Sequence, residues 1–247
     1  MKKFWDKILN LLYCEKIKCI ACSDELDDDN EFSLCEKCLK DLPYNNSFCQ
    51  VCGTPISDMG IVCNHCKERS YDFNFSRSVF MYEGKIISLI HRLKYNNAKY
   101  LKEPLSNFML NYFSSHSEFK DIDFIVPVPL NRKRQKWRGY NQSELLLYSF
   151  ENAGINVETK VLERVINTES QTNKTGEERL INLENAFEVK DKQKVKGKNI
   201  VVVDDVFTTG TTINECAKAL KKAGASKVVG FTLAAANFYR AENMQKD

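Results

Sequence analysis

The sequence predicts an α/β fold: a parallel sheet covered by helices and preceded by a small cysteine-rich module. Three observations carry this expectation. Nine of the ten cysteines fall between Cys14 and Cys66. Beyond residue 70, β-branched apolar runs alternate with segments whose apolar residues recur at helical spacing. Lys198–Val203 reads as a strand whose run Ile200–Val203 is apolar without in–out alternation, as expected of a strand buried on both faces.

The boundary is placed near residue 70, giving a cysteine module over 1–70 and a larger domain over 71–247. In the larger part Ser76–Tyr82 reads as a strand, and Glu83–Tyr95 and Lys99–Phe113 read as helices. Asp123–Val128 is a short strand closed by Pro127 and Pro129, Asn141–Asn152 a helix and Val157–Leu162 a strand. A polar stretch follows from Arg164 to about residue 184. After the strand Lys198–Val203 come a helix over Thr211–Ala223, closed by Gly224, and a last buried strand over Lys227–Ala234.

Composition excludes some classes. No apolar run approaches the ~18 residues that span a membrane. In Met1–Tyr13, Asp6, Lys7 and Asn10 interrupt any signal-peptide core, so a short amphipathic helix and a cytoplasmic location are expected. Residues 1–70 hold nine Lys/Arg against twelve Asp/Glu, and residues 71–247 hold twenty-seven against twenty-one. That basic excess is too mild to imply nucleic acid by itself.

The cysteines form four Cys-x-x-Cys pairs: Cys19/Cys22, Cys35/Cys38, Cys49/Cys52 and Cys63/Cys66. Such a turn presents two sulfurs to one ion while backbone amides donate to them, and two pairs complete a tetrahedral site. The loops between pairs hold twelve, ten and ten residues, near zinc-ribbon spacing. The simplest grouping takes the first two pairs for one zinc and the last two for a second; an interleaved grouping is open. With thiolates filling every position, the zinc is structural rather than catalytic. A disulfide framework is opposed by the odd count of nine. Four pairs in series exceed what a redox couple needs. Cys14 and His65 read as bystanders and Cys216 as a core residue.

The most informative stretch is Ile200-Val-Val-Val-Asp-Asp-Val-Phe-Thr-Thr-Gly-Thr-Thr212. A buried strand ends in two acids, and a hydroxyl-rich loop with one glycine leads into a helix. Loop amides, the helix N-terminus and the threonine hydroxyls suit a phosphate, and adjacent carboxylates suit the vicinal hydroxyls of a ribose. The Gly-Lys-Ser/Thr ending of a nucleoside-triphosphate loop is absent.

Residues 200–212 resemble the signature of type I phosphoribosyltransferases, which bind phosphoribosyl diphosphate (PRPP). The whole chain resembles the ComF/ComFC family, in which a double zinc ribbon precedes such a domain. The resemblance extends to Leu93-Lys-Tyr95, Val126-Pro-Val-Pro-Leu130, Arg138-Gly-Tyr-Asn-Gln142 and Gln171…Glu178-Arg179…Asn182…Ala186-Phe187. It implies that Asp204 and Asp205 contact the ribose hydroxyls and that Thr208, Thr209, Gly210, Thr211 and Thr212 hold the 5′-phosphate. It further implies that the loop after Val126 approaches the pyrophosphate, that residues 164–183 close over the reacting centre, and that Mg²⁺ comes with PRPP. Lys174 and Arg179 are candidate cations for the leaving group, and the acceptor side is expected from the zinc module with residues 71–115.

Asn131–Gln142 carries five positive charges and no acid, with Trp137 and Tyr140 interleaved. Arg134, Trp137, Arg138 and Tyr140 thus suit two partners: a departing pyrophosphate, or single-stranded DNA whose bases stack on the rings. A solvated charge run is the plain alternative. The resemblance implies a role in DNA uptake and natural transformation beside other competence proteins. Three readings stand: a phosphoribosyltransferase, a catalytically silent DNA-binding module, or a PRPP-responsive regulator.

Overall fold

The computed structural model describes residues 17–26, 30–56, 61–165 and 185–237. The expected helix over 1–13, Cys14, and Lys174, Arg179 and their neighbours in the polar stretch lie outside these residues. Helices α1 (Glu36–Lys40) and α2 (Asn64–Glu68) belong to the cysteine module. Then come β1 (Phe75–Met81), α3 (Gly84–Tyr95), α4 (Lys102–Ser115), β2 (Phe124–Pro127), α5 (Arg132–Arg138), α6 (Gln142–Leu145) and α7 (Tyr148–Asn152). The chain continues through β3 (Leu162–Arg164), β4 (Phe187–Val189), α8 (Lys192–Val195), β5 (Asn199–Phe207), α9 (Thr211–Lys222) and β6 (Lys227–Ala235).

Four strands form a parallel sheet in the order β1-β6-β5-β2. Alternation along β5 divides the core in two. Val201 and Val203 join Phe80, Val229 and Phe231 beneath α3 and α4, whereas Ile200 and Val202 join Val228, Ile213 and Leu220 beneath α9. Both faces are thereby dry, as the unbroken apolar run requires.

Four elements differ from expectation. β5 runs on to Phe207 because Asp204, Val206 and Phe207 still pair with Thr232, Ala234 and Ala235. The two acids end an apolar pattern but not the hydrogen-bond ladder. Val157–Leu162 is not one strand: Val157 bridges Ile125, while Leu162–Arg164 pairs antiparallel with Phe187–Val189. The basic stretch is a helix, not a loop. Asn131 Oδ1 accepts from the Lys133 N–H at 2.8 Å to start α5, and Gly139 in the left-handed region ends it. In addition, the expected helix Asn141–Asn152 is split into α6 and α7.

The cysteine module covers the free edge of β1. Asn45 N–H donates to Val79 O at 3.0 Å, Met81 N–H to Pro43 O at 2.8 Å and Ser76 N–H to Val51 O at 2.8 Å, so the edge is paired rather than open. Gly53 makes this approach possible: a Cβ there would lie 2.4 Å from Ser76 O. Arg77 fastens the seam. Buried, it pairs with Glu118 at 2.7 Å, donates to Gln50 O at 3.0 Å and lies between the rings of Phe48 and Phe75. Substitution Arg77→Met leaves Gln50 and Glu118 without this partner, and we expect a loss on the order of 3 kcal/mol, or ~10 °C in Tm, by thermal denaturation.

Candidate functional site

The thiolates gather in sequential order. The sulfurs of Cys19, Cys22, Cys35 and Cys38 lie within 4.8 Å of one another, as do those of Cys49, Cys52, Cys63 and Cys66. Zn–S bonds of about 2.3 Å in a tetrahedron require S···S edges of about 3.8 Å. The Cys22–Cys35 and Cys52–Cys63 separations are 3.8 and 3.7 Å. Backbone N–H groups of Cys38 and Cys63 donate to Cys35 Sγ and Cys49 Sγ at 3.4 and 3.3 Å. Both clusters therefore fit a structural zinc ion, and the interleaved grouping is not the one formed. Each cluster packs into a different face of the sheet: Cys19 and Cys38 with the α3–α4 core, Cys49, Cys52 and Cys63 with the α9 core.

At the carboxyl end of β5 the two acids are consecutive and point to opposite faces of the sheet. Asp204 Oδ1 accepts from Ser143 Oγ at 3.0 Å and from the Asp205 N–H at 2.9 Å. Asp205 is buried and pairs with Lys94 Nζ at 2.8 Å, while its Oδ2 has no hydrogen-bond partner among the described residues. Burial, and next the like charge of Asp205, push Asp204 up to about 7, against the pull of Lys94 and the two hydrogen bonds. Burial works against the Lys94 charge, but Asp205 and Asp204 outweigh it and hold its pKa above the ordinary lysine value.

Thr208–Gly210 then turns into α9. Gly210 has φ +76°, and a Cβ there would meet the Phe207 ring at 2.5 Å, so only glycine lets the loop fold back on this ring. Thr209 Oγ1 and Thr211 Oγ1 are 2.8 Å apart. The first N–H groups of α9 have no acceptor within the helix and face outward from its positive end.

Cations crowd the same end of the sheet. Arg134 is lowered by burial and by the charge of Arg138; Arg164 is lowered by burial and by Arg134, with Asp204 pulling the other way. Like charges gathered around a carboxylate pair suit an anionic ligand. Arg138 bonds Gln142 Oε1 and lies 5.3 Å from the Tyr95 ring. Trp137 is 71% exposed, and the ring beside it, at 6.5 Å, is Tyr95 rather than Tyr140. Tyr140 is buried, its hydroxyl donating to Leu93 O.

Asp204, Asp205, Thr208–Thr212, Arg134 and Arg138 are thus brought to one end of the sheet. Sequence reasoning gave no site role to Lys94 or Ser143, and included Arg164 only as the first residue of the stretch 164–183 expected to close over the reacting centre. Lys94 carries a signal in hindsight: it follows Leu93 at the edge of the buried stripe Ile86, Leu89, Ile90 and Leu93, where a lysine needs a partner. Ser143 and Arg164 carry none.

Comparison with known proteins agrees with this geometry. Residues 8–67 match the double zinc ribbon domain and residues 150–246 the phosphoribosyl transferase domain. The chain is therefore a double zinc ribbon joined to a parallel-sheet domain of the phosphoribosyltransferase type. It is 30% identical over 203 residues to the DNA utilization protein YhgH of Salmonella typhimurium, covering 81% of this chain and 88% of that one. It is 29% identical over 226 residues to Competence protein F of Haemophilus influenzae, covering 89% and 97%. It is 28% identical over 238 residues to Competence protein ComFC of Bacillus subtilis, covering 88% and 95%. The chain belongs to the ComF/ComFC family. Among the described residues no helix is long and apolar enough to cross a membrane.

The raised Asp204 carboxyl makes a signed prediction. The folded protein holds this proton up to about pH 7, whereas the unfolded chain loses it near 3.8. The group therefore costs nothing in acid, and stability falls as pH rises through this window. Asp204→Asn removes the penalty and keeps an acceptor for Ser143. Relative to wild type, the variant should gain about 2 kcal/mol between about pH 5.5 and about pH 8. Paired thermal melts check this, because the pH dependence of the thiolate clusters is common to both proteins.

Proposed function

We propose that this chain binds Mg-PRPP at the end of β5 and acts in DNA uptake and natural transformation, as the names of its competence-protein relatives suggest. Asp204 and Asp205 read the ribose hydroxyls, and Thr208–Thr212 with the start of α9 hold the 5′-phosphate. The observation that carries this reading is Asp205: a buried carboxylate with Lys94 on one oxygen and, among the described residues, no partner on the other. An unpaired acceptor of this kind is costly unless a ligand hydroxyl completes it. Lys94 already neutralises one acid, which suits an ion held chiefly by ligand oxygens rather than a protein cage. Mg²⁺ supplies charge neutralisation on the pyrophosphate oxygens when bound.

The chemistry that follows is phosphoribosyl transfer. An acceptor atom forms a bond to C1′ as the C1′–O bond to pyrophosphate breaks, and pyrophosphate leaves with the electron pair. Arg134, Arg138 and Arg164 are the cations of this chain that stabilise the charge of the departing group.

A second reading has its own observation. The exposed Trp137 and half-exposed Tyr95 stand beside Lys133, Arg134, Lys136 and Arg138. This combination suits single-stranded DNA, with bases on the rings and phosphates on the cations. Because Arg138 touches the Tyr95 ring and Arg134 faces Asp205, the two ligands would meet at this helix, and PRPP would alter DNA affinity.

Two experiments separate the readings. In calorimetric titration, Asp204→Asn with Asp205→Asn should weaken Mg-PRPP binding at least tenfold, an effect of about 1.4 kcal/mol or more. Unchanged affinity would refute the assignment. A salt-dependent titration of single-stranded DNA should show Trp137→Ala weakening binding ~10-fold and Lys133→Ala with Lys136→Ala flattening the salt slope. Repeating it with Mg-PRPP distinguishes a regulator, whose DNA affinity shifts without pyrophosphate release, from a transferase, which releases pyrophosphate.

A further inference from the structure

The second thiolate cluster and the phosphate loop share one core. Cys63 stands at the N-cap of α2 and Cys66 lies within it, and the chain leaving that helix runs directly to Tyr71, Asp72 and Phe73. Cys49, Cys52, Cys63, Phe73, Phe207 and Ile213 form one buried cluster, with Cys66 and Tyr71 packed against it. Tyr71 stacks on Phe73 at 4.5 Å, and Phe73 meets Phe207 edge-on at 6.2 Å. Phe207 is the ring on which Gly210 folds back.

Two polar contacts then reach the loop itself. The Tyr71 hydroxyl donates to the Thr209 carbonyl at 3.3 Å. Asp72 N–H donates to Asn214 Oδ1 at 2.7 Å, and Asn214 Nδ2 returns a contact to Asp72 Oδ2 at 3.4 Å. Asn214 stands in the first turn of α9, where its N–H donates to Gly210 O at 2.8 Å. Both ends of the loop are therefore held from the segment that follows the second cluster. The first cluster makes no such path among the described residues: Cys19 and Cys38 pack on the opposite face of the sheet.

We propose that Tyr71 and Asp72 are positioning residues that couple the second thiolate cluster to the phosphate loop. Metal held by Cys49, Cys52, Cys63 and Cys66 and ligand held at 208–212 then stabilise one another. This rests on the PRPP reading of the loop. The physical reason is entropy: a loop rich in threonine and glycine binds an anion well only when its amides are already aimed, and ordering it at the moment of binding weakens affinity. Coupling between two ligands is reciprocal in binding free energy, so PRPP must in turn tighten the hold of the second cluster on its metal and leave the first unchanged.

The test uses full-length, zinc-loaded protein. A chelator is added with an alkylating reagent, and peptide mass spectrometry follows modification of Cys63 and Cys66 against Cys22 and Cys35, with and without Mg-PRPP. We expect Mg-PRPP to slow modification of Cys63 and Cys66 about fivefold, the worth of roughly one hydrogen bond, and to leave Cys22 and Cys35 unchanged. Tyr71→Phe, which keeps the ring and loses the hydroxyl, should remove most of the slowing, as should Asn214→Ala. Equal slowing at both clusters, no slowing despite measured PRPP binding, or full slowing in Tyr71→Phe would overturn the coupling. Should titration show no PRPP binding, the reading of the loop fails and the coupling is judged without ligand. Amide exchange at 208–212 should then quicken in Tyr71→Phe and on stripping the second cluster; unchanged exchange sinks it.

Discussion

The pairing of β5 with β6 continues past the apolar run, as far as Phe207 opposite Ala235, and the site depends on that continuation. Because the ladder does not stop at Val203, Asp204 and Asp205 are fixed on a strand and point to its opposite faces, Asp205 toward Lys94 and Asp204 toward the side of α9. Burial, and next the like charge of Asp205, drive Asp204 up to about 7. A loop would have relieved this burial by turning the acid into water; a strand in a four-stranded sheet cannot.

The surroundings of the acids follow from this constraint. Lys94 reaches from the end of α3 to neutralise Asp205, and Ser143 at the start of α6 donates to Asp204. Three arginines from α5 and β3 contribute charge of the opposite sign; the pKa of Arg134 is lowered by burial and by Arg138, that of Arg164 by burial and by Arg134. The balance is incomplete on its own: among the described residues an acceptor oxygen of Asp205 is unpartnered and the guanidinium groups crowd. Both imbalances support the proposal of an anionic sugar-phosphate ligand.

The cysteine module takes part in the same architecture. It pairs with the outer edge of β1, and its two clusters sit on opposite faces of the sheet. A small module with little core of its own gains rigidity from metal-binding turns, and here it lends rigidity to the sheet edge. The buried Arg77, reaching Gln50 on one side and Glu118 on the other, ties the module to the strand it covers.

Much of this was legible in the amino-acid sequence. The parallel sheet, the two sets of four thiolates, the acids at 204–205 and the hydroxyl-rich loop are local patterns, written by periodicity and fixed spacing within a few tens of residues. What lay beyond sequence reasoning has one physical cause: it depends on residues distant along the chain. The ladder that carries Asp204–Phe207 needs Thr232–Ala235, the charge on Asp205 needs Lys94, and the hydrogen bonds to Thr209 and Asn214 come from Tyr71 and Asp72. Likewise α5 is helical because Asn131 caps it and Gly139 ends it, two signals that the run of charge obscured. The sequence by itself determined which chemical groups exist and the local frames that present them. Only the tertiary structure decided which groups meet, because Coulomb interaction and burial act through space and not along the chain.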